Sequence, residues 1–207
     1  KESIMTDLFL PVGIQDFEKM ISGNFIYVDK TRFMYEMARP LQGFYFIARP
    51  RRLGKSLMVS TFENLFKGRR ELFKDLWIGK SDWEWKSHPV VKVDFCEINY
   101  DSPEKLEKSL LLHIHRMAKK HGFKDRIDLL PYAFATLITD MAKKYGECVT
   151  VLIDEYDHFT NELLARSPEE YAASVERGGF VRKFYETLKK GTKRQVRRIF
   201  MTGVTPV

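Results

Sequence analysis

Residues 44–58 read FYFIARPRRLGKSLM, a run that changes character twice within a few positions. It begins with aromatic and apolar residues, continues through a loop rich in Arg and Pro, and ends in a segment with helical spacing, which predicts a strand, a loop and a helix. A loop in this setting binds phosphate, because its backbone N–H groups and those of the first helical turn form a concave anion site reinforced by the helix dipole. We expect Lys55 to reach the β- and γ-phosphates and the Ser56 hydroxyl to ligate Mg²⁺.

The predicted phosphate-binding positions run from the end of the strand into the helix. They are Arg49, Pro50, Arg51, Arg52, Leu53, Gly54, Lys55, Ser56 and Leu57. The general motif has a glycine five residues before Gly54, and this chain has Arg49 there. Gly-Lys followed by Ser or Thr alone occurs by chance in on the order of one in ten chains of this length, so the interpretation needs a second element.

The second element is VTVLIDE, residues 149–155, a β-branched apolar run that ends in two carboxylates. Its continuous apolarity predicts a strand buried on both faces of a parallel sheet, and ligands of such sheets bind at the carboxyl ends of the strands. We expect Asp154 to hold Mg²⁺, directly or through water, and Glu155 to polarise the water that attacks the γ-phosphate. The competing interpretation is a pair of surface acids that cap a strand.

Two further strands complete the predicted sheet. Residues 90–95 form a strand between the two motifs, which together with a Glu directly after the Asp is typical of ATPases whose catalytic Glu lies on the acidic strand. Residues 198–202 form the last strand, and Thr202 at its end is expected to stand between the loop and the acidic strand and to orient the attacking water. The fold class that follows is α/β, a three-layer P-loop NTPase core with a parallel sheet, and its catalytic residues are Glu155, Lys55 and Thr202.

Length and composition bound the class of protein. The 207 residues, 44% of them hydrophobic, suit one α/β domain over residues 1–207, in which residues 1–40 are an N-terminal extension packed on the core. No apolar run approaches the ~20 residues of a membrane span, and Cys96 and Cys148 lie in or beside predicted strands, so we expect no membrane, no disulfide and the cytoplasm. The absence of an initiator Met and the chain end just after a strand predict a fragment of a longer protein. The net charge of +7 favours anionic partners.

Helical spacing predicts helices over residues 14–21, 31–38, 55–66, 69–77, 101–121, 132–145 and 180–190, with another opening at residue 167. Tyr27 or Phe25 is expected either to stack on adenine or to pack in the core. His158 is either a sensor of the γ-phosphate or a surface or packing residue. His113 and His115 are two positions apart and cannot share a helical face, so no metal site besides Mg²⁺ is predicted.

Six basic residues cluster before the last strand: Lys189, Lys190, Lys193, Arg194, Arg197 and Arg198. One interpretation is that cations gather at a helix C-terminus, where they interact favourably with the helix dipole. The other is that the cluster serves an anionic partner such as nucleic acid, or supplies an arginine to a neighbouring subunit.

Five short motifs together resemble the bacterial AAA-ATPase-like family: LPVG (10–13), YVDKT (27–31), RPRRLGKS (49–56), LIDEYD (152–157) and MTGV (201–204). The resemblance covers essentially the whole chain, and the Arg-Pro-Arg-Arg form of the loop is typical of that family. It implies a P-loop fold that uses ATP and Mg²⁺. It also implies that a lid and a nuclease-like domain of the PD-(D/E)XK type follow this stretch in many members.

Three functions fit these residues. The first is Mg²⁺-dependent ATP binding and hydrolysis, the second is a nucleotide-binding switch or scaffold with little turnover, and the third is a nucleic-acid-associated module that uses its basic surface. The expected partners are ATP and either further copies of the chain or another protein. ATPases of this branch complete their site with an arginine from a lid or a neighbouring subunit, and Arg49, Arg51 and Arg52 are placed to supply part of this charge within the chain.

Overall fold

The computed structural model describes residues 8–98, 102–124, 127–158, 161, 164–165, 167–175, 182, 185–186, 188–189 and 195–204. Within them, four strands form one sheet in which every hydrogen-bonded pair is parallel: β1 (Gly43–Ala48), β2 (Val90–Asp94), β3 (Val149–Asp154) and β4 (Val196–Gly203). The α/β class and the parallel sheet predicted from the sequence are confirmed.

The strands lie in the order β1-β4-β3-β2. Although β2 lies between the two motifs along the chain, in the sheet it is the edge strand beside β3, and the strand that separates β1 from β3 in space is β4. Ala48 pairs with Gly203 and Asp94 pairs with Asp154, so the carboxyl ends of the strands share one edge of the sheet. The loop after β1 and the acids of β3 therefore open onto the same edge.

Within the described residues, the sheet is accompanied by helices α1 (Phe17–Ser22), α2 (Thr31–Ala38), α3 (Lys55–Phe66), α4 (Pro103–Lys120), α5 (Leu130–Tyr145) and α6 (Pro168–Val175). Every position of β3 is buried, as its unbroken apolar run predicts. Val151 and Ile153 pack with residues of α4 and α5, whereas Leu152 packs with residues of α1, α2 and α3. The alternation of side chains along β3 thus builds two apolar layers, one on each face of the sheet.

Stacked aromatic rings hold α3 against the sheet. The ring centroid of Phe200 on β4 lies 4.1 Å from that of Phe62 on α3 and 5.1 Å from that of Tyr45 on β1. Phe66 packs on Phe62 one turn further along the helix, at 5.9 Å. Because removing a buried Phe costs about 3–5 kcal/mol, these rings fix the helix that follows the loop and with it the position of Lys55.

One predicted helix is wrong. Residues 69–77 do not form it; two short 3₁₀ turns, Arg70–Leu72 and Trp77–Lys80, stand in this region. Side chains from the YVDKT motif bind the second turn: Asp29 Oδ2 accepts from the Trp77 N–H at 2.7 Å, and Thr31 Oγ1 accepts from the Ile78 N–H at 3.1 Å. These tertiary hydrogen bonds compete with helical ones, which local spacing cannot reveal.

The N-terminal segment contacts the core through α1. The backbone N–H of Phe17 donates to Ser60 Oγ of α3 at 2.9 Å, and the ring of Phe17 lies 4.7 Å from that of Phe73. At the other end of the chain, the predicted helix over residues 180–190 lies mostly outside the described residues.

Candidate active site

A cavity of about 580 Å³ opens at the carboxyl edge of the sheet. Its walls come from three separate parts of the chain, which are residues 11–15, residues 52 and 54–57 of the loop and α3, and Glu155 after β3. Of the residues that the sequence predicts in one site, Arg52, Gly54, Lys55, Ser56, Leu57 and Glu155 line this cavity, whereas Arg49, Pro50, Arg51, Leu53, Asp154 and Thr202 are not among its lining residues.

The loop leaves β1 at a fixed point and enters α3 through a left-handed residue. The backbone N–H of Arg49 donates to the carbonyl of Gly203 at 3.1 Å, which continues the pairing of β1 with β4. Gly54 has φ of 73°, a conformation that costs glycine little, and a Cβ built there would meet no atom within 4 Å. Arg52 also has a positive φ, of 64°. Residues 49–54 are exposed, so the backbone of this loop is open to a ligand.

Lys55 is buried although it carries the charge that the motif requires. Only 4% of Lys55 is exposed to solvent, and its ammonium donates to the carbonyl oxygens of Arg49 at 3.1 Å and Pro50 at 3.2 Å. These two bonds satisfy part of the hydrogen-bonding capacity of the ammonium, a cation that would otherwise be costly to bury. They also hold the positive charge within the loop, at the first residue of α3.

Asp154, Glu155 and Thr202 are joined by one hydroxyl group. Asp154 is 2% exposed, and the fully buried Thr202 donates its hydroxyl proton to Asp154 Oδ1. The same hydroxyl oxygen accepts from the backbone N–H of Glu155 at 3.2 Å. Glu155 needs this support because its φ of 49° is unfavourable for a residue with a side chain. Thr202 lies on β4, the strand between β1 and β3, and its hydroxyl is engaged by the acidic pair.

The residues that follow Glu155 are hydrogen-bonded to the end of β4. The N–H of Tyr156 donates to the Thr202 carbonyl at 3.0 Å, and the N–H of Val204 donates to Asp157 Oδ2 at 2.8 Å. Gly203 lies so close to this loop that an added Cβ would be 2.7 Å from Tyr156 Cδ1 and 2.9 Å from Asp157 Oδ1. The motifs LIDEYD and MTGV therefore form a single packed junction, and only a residue without a side chain fits at its centre.

Cys96 and His158 approach Glu155, a neighbourhood that the sequence analysis did not predict. The thiol of Cys96 donates to Glu155 Oε2 at 2.9 Å, and His158 Nδ1 lies 4.0 Å from the same oxygen. Burial, the hydrogen bond to Glu155 and the charges of Glu155, Asp94 and Asp154 all raise the pKa of the Cys96 thiol. Burial and the charge of Asp154 likewise raise the pKa of Asp94, although its Oδ1 accepts from the Cys96 N–H at 2.9 Å.

Residues 11–15 form the outer wall of the cavity, and sequence reasoning missed this role. Val12 is 88% exposed, so the wall presents an apolar side chain that core packing does not explain. The two aromatic residues that were candidates for stacking on adenine pack against other rings. The ring of Tyr27 lies 5.3 Å from that of Phe17, and the ring of Phe25 lies 6.2 Å from that of Phe9. Burial raises the pKa of Tyr27 to about 12, as expected for a hydroxyl withdrawn from solvent. The LPVG motif was the signal that could have pointed to the wall.

The other candidate residues stay apart from the cavity. His113 and His115 each bond a backbone carbonyl through Nε2, that of Lys92 at 2.9 Å and that of Ile127 at 3.1 Å, so both have structural partners. Arg198 is buried, lies 5.4 Å from the centroid of the Phe66 ring and has its pKa lowered to about 10 by burial. It is therefore a core residue and not part of a basic surface.

Three members of the predicted basic group, Lys190, Lys193 and Arg194, lie outside the described residues. Across the part of the chain that the structure does describe, no helix combines the length and the apolarity needed to cross a bilayer.

Comparison with known proteins identifies relatives of the chain. The family model described as "Predicted AAA-ATPase" matches residues 11–207. A protein of Azotobacter chroococcum mcd 1, described as "Uncharacterized protein in vnfD 5'region", is 35% identical over 201 residues. That match covers 95% of this chain and 37% of the relative, so the chain spans little more than a third of the relative's length. No solved structure matches the chain.

Proposed function

This chain belongs to the AAA-ATPase-like family, and from that premise we propose that it binds ATP with Mg²⁺ and hydrolyses the bond to the γ-phosphate. The observation that carries the proposal is the convergence of Lys55, Ser56 and Glu155 on one cavity. The cavity volume of about 580 Å³ falls within the roughly 300–1,000 Å³ of small-molecule sites. A cation, a hydroxyl and a carboxylate on its walls suit a metal-bound triphosphate and a water molecule.

Phosphate binding is assigned to the loop and the first turn of α3. The first N–H groups of a helix lack partners within the helix and attract anions, and here the exposed loop leads directly into them. The ammonium of Lys55 would exchange its neutral carbonyl partners for charged phosphate oxygens, because hydrogen bonds to ionised groups are roughly twice as strong.

Metal binding is assigned to Ser56 and Asp154. Both offer the hard oxygen atoms that Mg²⁺ prefers, and Asp154 is held rigidly at the end of β3. Because Thr202 binds Oδ1 of Asp154, we assign Oδ2 to the metal, directly or through water. Bound Mg²⁺ would neutralise charge that develops on the phosphate oxygens.

Water activation is assigned to Glu155, the acidic residue among the described residues that line the cavity. Thr202 acts as a positioning residue: through one hydroxyl group it fixes the Asp154 carboxylate and the Glu155 backbone. This refines the role expected from the sequence, in which the Thr202 hydroxyl itself orients the water. Arg52 lines the cavity and is the loop arginine that we assign to the phosphates.

A second candidate function, a nucleotide-dependent switch with little turnover, is favoured by one contact. The Glu155 carboxylate accepts a hydrogen bond from Cys96, and an oxygen engaged in this way is less available to accept a hydrogen bond from water. The switch and the ATPase share the same nucleotide site, so only the rate of hydrolysis separates them.

Steady-state phosphate release by the purified chain, with and without Mg²⁺, tests the proposal. Replacing a general base typically lowers turnover by about 10²–10⁴-fold, so Glu155→Gln should retain ATP binding in calorimetry and lose turnover by that factor. Glu97→Gln, an exposed acid beyond β2, is the matched control and should hydrolyse ATP as the wild type does. Equal turnover in wild type and Glu155→Gln would overturn the assignment of Glu155, and ATP binding without turnover in the wild type would favour the switch over the ATPase.

A further inference from the structure

Three side chains that can ligate a metal ion meet beside the cavity. Cys96 lies in the 3₁₀ turn after β2, Glu155 follows β3, and His158 lies three residues later. One ligand atom from each, the thiol sulfur, a carboxylate oxygen and a ring nitrogen, lies within 4.8 Å of the other two. We propose that Cys96, Glu155 and His158 form a binding site for a borderline-soft divalent cation of the Zn²⁺ class, with a fourth coordination position left open.

The observed separations fit tetrahedral coordination. Ligand atoms at about 2.0–2.3 Å from a tetrahedral ion lie about 3.3–3.8 Å from one another. The distance from Cys96 Sγ to Glu155 Oε2 is 2.9 Å and that from His158 Nδ1 to the same oxygen is 4.0 Å, one on each side of this range. Small side-chain rotations would therefore bring all three atoms onto one ion, with no change in the backbone.

The backbone around the three ligands is already held in place. The Cys96 N–H donates to Asp94 Oδ1 at 2.9 Å, and the Glu155 N–H donates to Thr202 Oγ1 at 3.2 Å. The His158 N–H donates to the Glu155 carbonyl at 2.9 Å, which keeps these two ligands on one turn. A site whose ligands are fixed in this way loses little conformational entropy when the ion binds.

The ligand types select the ion. A thiolate and an imidazole favour Zn²⁺ over Mg²⁺, whereas the oxygen pair Ser56 and Asp154 favours Mg²⁺. Asp94 and Asp154 add negative charge beside the site without being required as ligands. Cys96 is an exposed residue even though its thiol is partly desolvated, so an ion has access from solvent. When the zinc–sulfur bond forms, the thiol proton is released to solvent, and no oxidant or reductant takes part.

The site has a consequence for hydrolysis, and this consequence alone rests on the proposed ATPase function. Glu155 cannot hold the ion and activate water at the same time. Zn²⁺ should therefore inhibit turnover while leaving the Lys55 and Ser56 side of the cavity free to bind ATP. Inhibition should be reversed by a chelator, because no covalent bond other than the metal–ligand bonds is made.

Cobalt(II) is the direct probe, because thiolate ligation to Co²⁺ gives a near-ultraviolet charge-transfer band. Zn²⁺ affinity is measured on the nucleotide-free chain by competition with a chromophoric chelator. Wild type should bind one ion with the charge-transfer band. Cys96→Ala should lose the band, and both Cys96→Ala and His158→Ala should weaken Zn²⁺ binding by about tenfold or more. Cys148→Ala and His113→Ala are the matched controls and should bind as the wild type does. Equal Zn²⁺ affinity in wild type and Cys96→Ala, or a Co²⁺ complex without the band, would overturn the site.

Phosphate release separates the metal site from the proposed function. Zn²⁺ binding in a wild-type chain that hydrolyses no ATP at any zinc concentration would sustain the site and refute the ATPase proposal. Hydrolysis that is unaffected by saturating Zn²⁺ would refute the coupling between the two, and Cys96→Ala should hydrolyse ATP with no sensitivity to zinc in the range that inhibits the wild type.

Discussion

Replacing Thr202 by Val tests the junction on which the acidic pair depends. Valine keeps the shape of threonine, so packing is preserved, but it removes the hydroxyl that donates to Asp154 and accepts from the Glu155 N–H. A buried polar group that loses its partner costs roughly 1–3 kcal/mol. The carboxylate of Asp154 is 2% exposed and should show the full effect, whereas Glu155 is partly exposed and water can replace its partner. We expect Thr202→Val to lower the free energy of unfolding by about 1–3 kcal/mol.

Thr202→Ser is the matched variant, because it keeps the hydroxyl and loses one methyl group, at about 1 kcal/mol. Urea denaturation measures both free energies of unfolding, and equal m-values for the variants establish that the same transition is compared. If Thr202→Val is no less stable than Thr202→Ser, the hydroxyl does not hold the acidic pair and the reasoning fails. A second readout follows from the assigned metal site, since Thr202→Val should require more Mg²⁺ for half-maximal turnover than Thr202→Ser does.

Three other predictions test different parts of the structure. Lys55→Ala should abolish ATP binding measurable by calorimetry while the chain stays folded in circular dichroism, and unchanged affinity would refute the phosphate assignment. Gly203→Ala should lower the free energy of unfolding by about 1–3 kcal/mol, because the new Cβ would meet the Tyr156 ring; a neutral effect in urea denaturation would contradict the close packing there. Burial lowers the pKa of His88 below 6.5, so the unfolded chain binds the proton more readily and stability should fall as pH drops below 6.5. A His88→Gln variant with the same pH dependence of unfolding would contradict that origin.

Much of the fold can be predicted from local patterns of apolar residues in the sequence. The predicted helix over residues 55–66 and the observed α3, Lys55–Phe66, coincide because apolar spacing marks its length and the phosphate-binding motif marks its start. The strand β3 is recognisable because six buried positions in a row require an apolar run. The 3₁₀ turn Trp77–Lys80 was not predictable in this way, because its hydrogen bonds come from Asp29 and Thr31, far away in the chain.

The candidate site also has one part that local motifs predict and another that depends on how distant parts of the chain pack. Lys55, Ser56 and Glu155 could be placed together because two motifs at the ends of parallel strands must meet at one edge of the sheet. The wall formed by residues 11–15 has no periodicity, so nothing local shows where it packs. The contact between Cys96 and Glu155 depends on which strand lies beside β3, and strand order is a property of the whole sheet.

Strand order also explains why Glu155 has two sets of neighbours. Strands in a sheet lie about 4.8 Å apart, so the insertion of β4 sets the loop strand β1 and the acidic strand β3 about 10 Å apart, which leaves room for phosphate and water between them. On the other side of β3 lies β2, and the turn after it carries Cys96 to Glu155. The carboxylate therefore stands between the cavity and the thiol. Any interaction that draws it toward Cys96, whether a hydrogen bond or a shared metal ion, would remove the proposed base from the water that we assign it to activate, and the sheet order places the cavity and the thiol on either side of this one carboxylate.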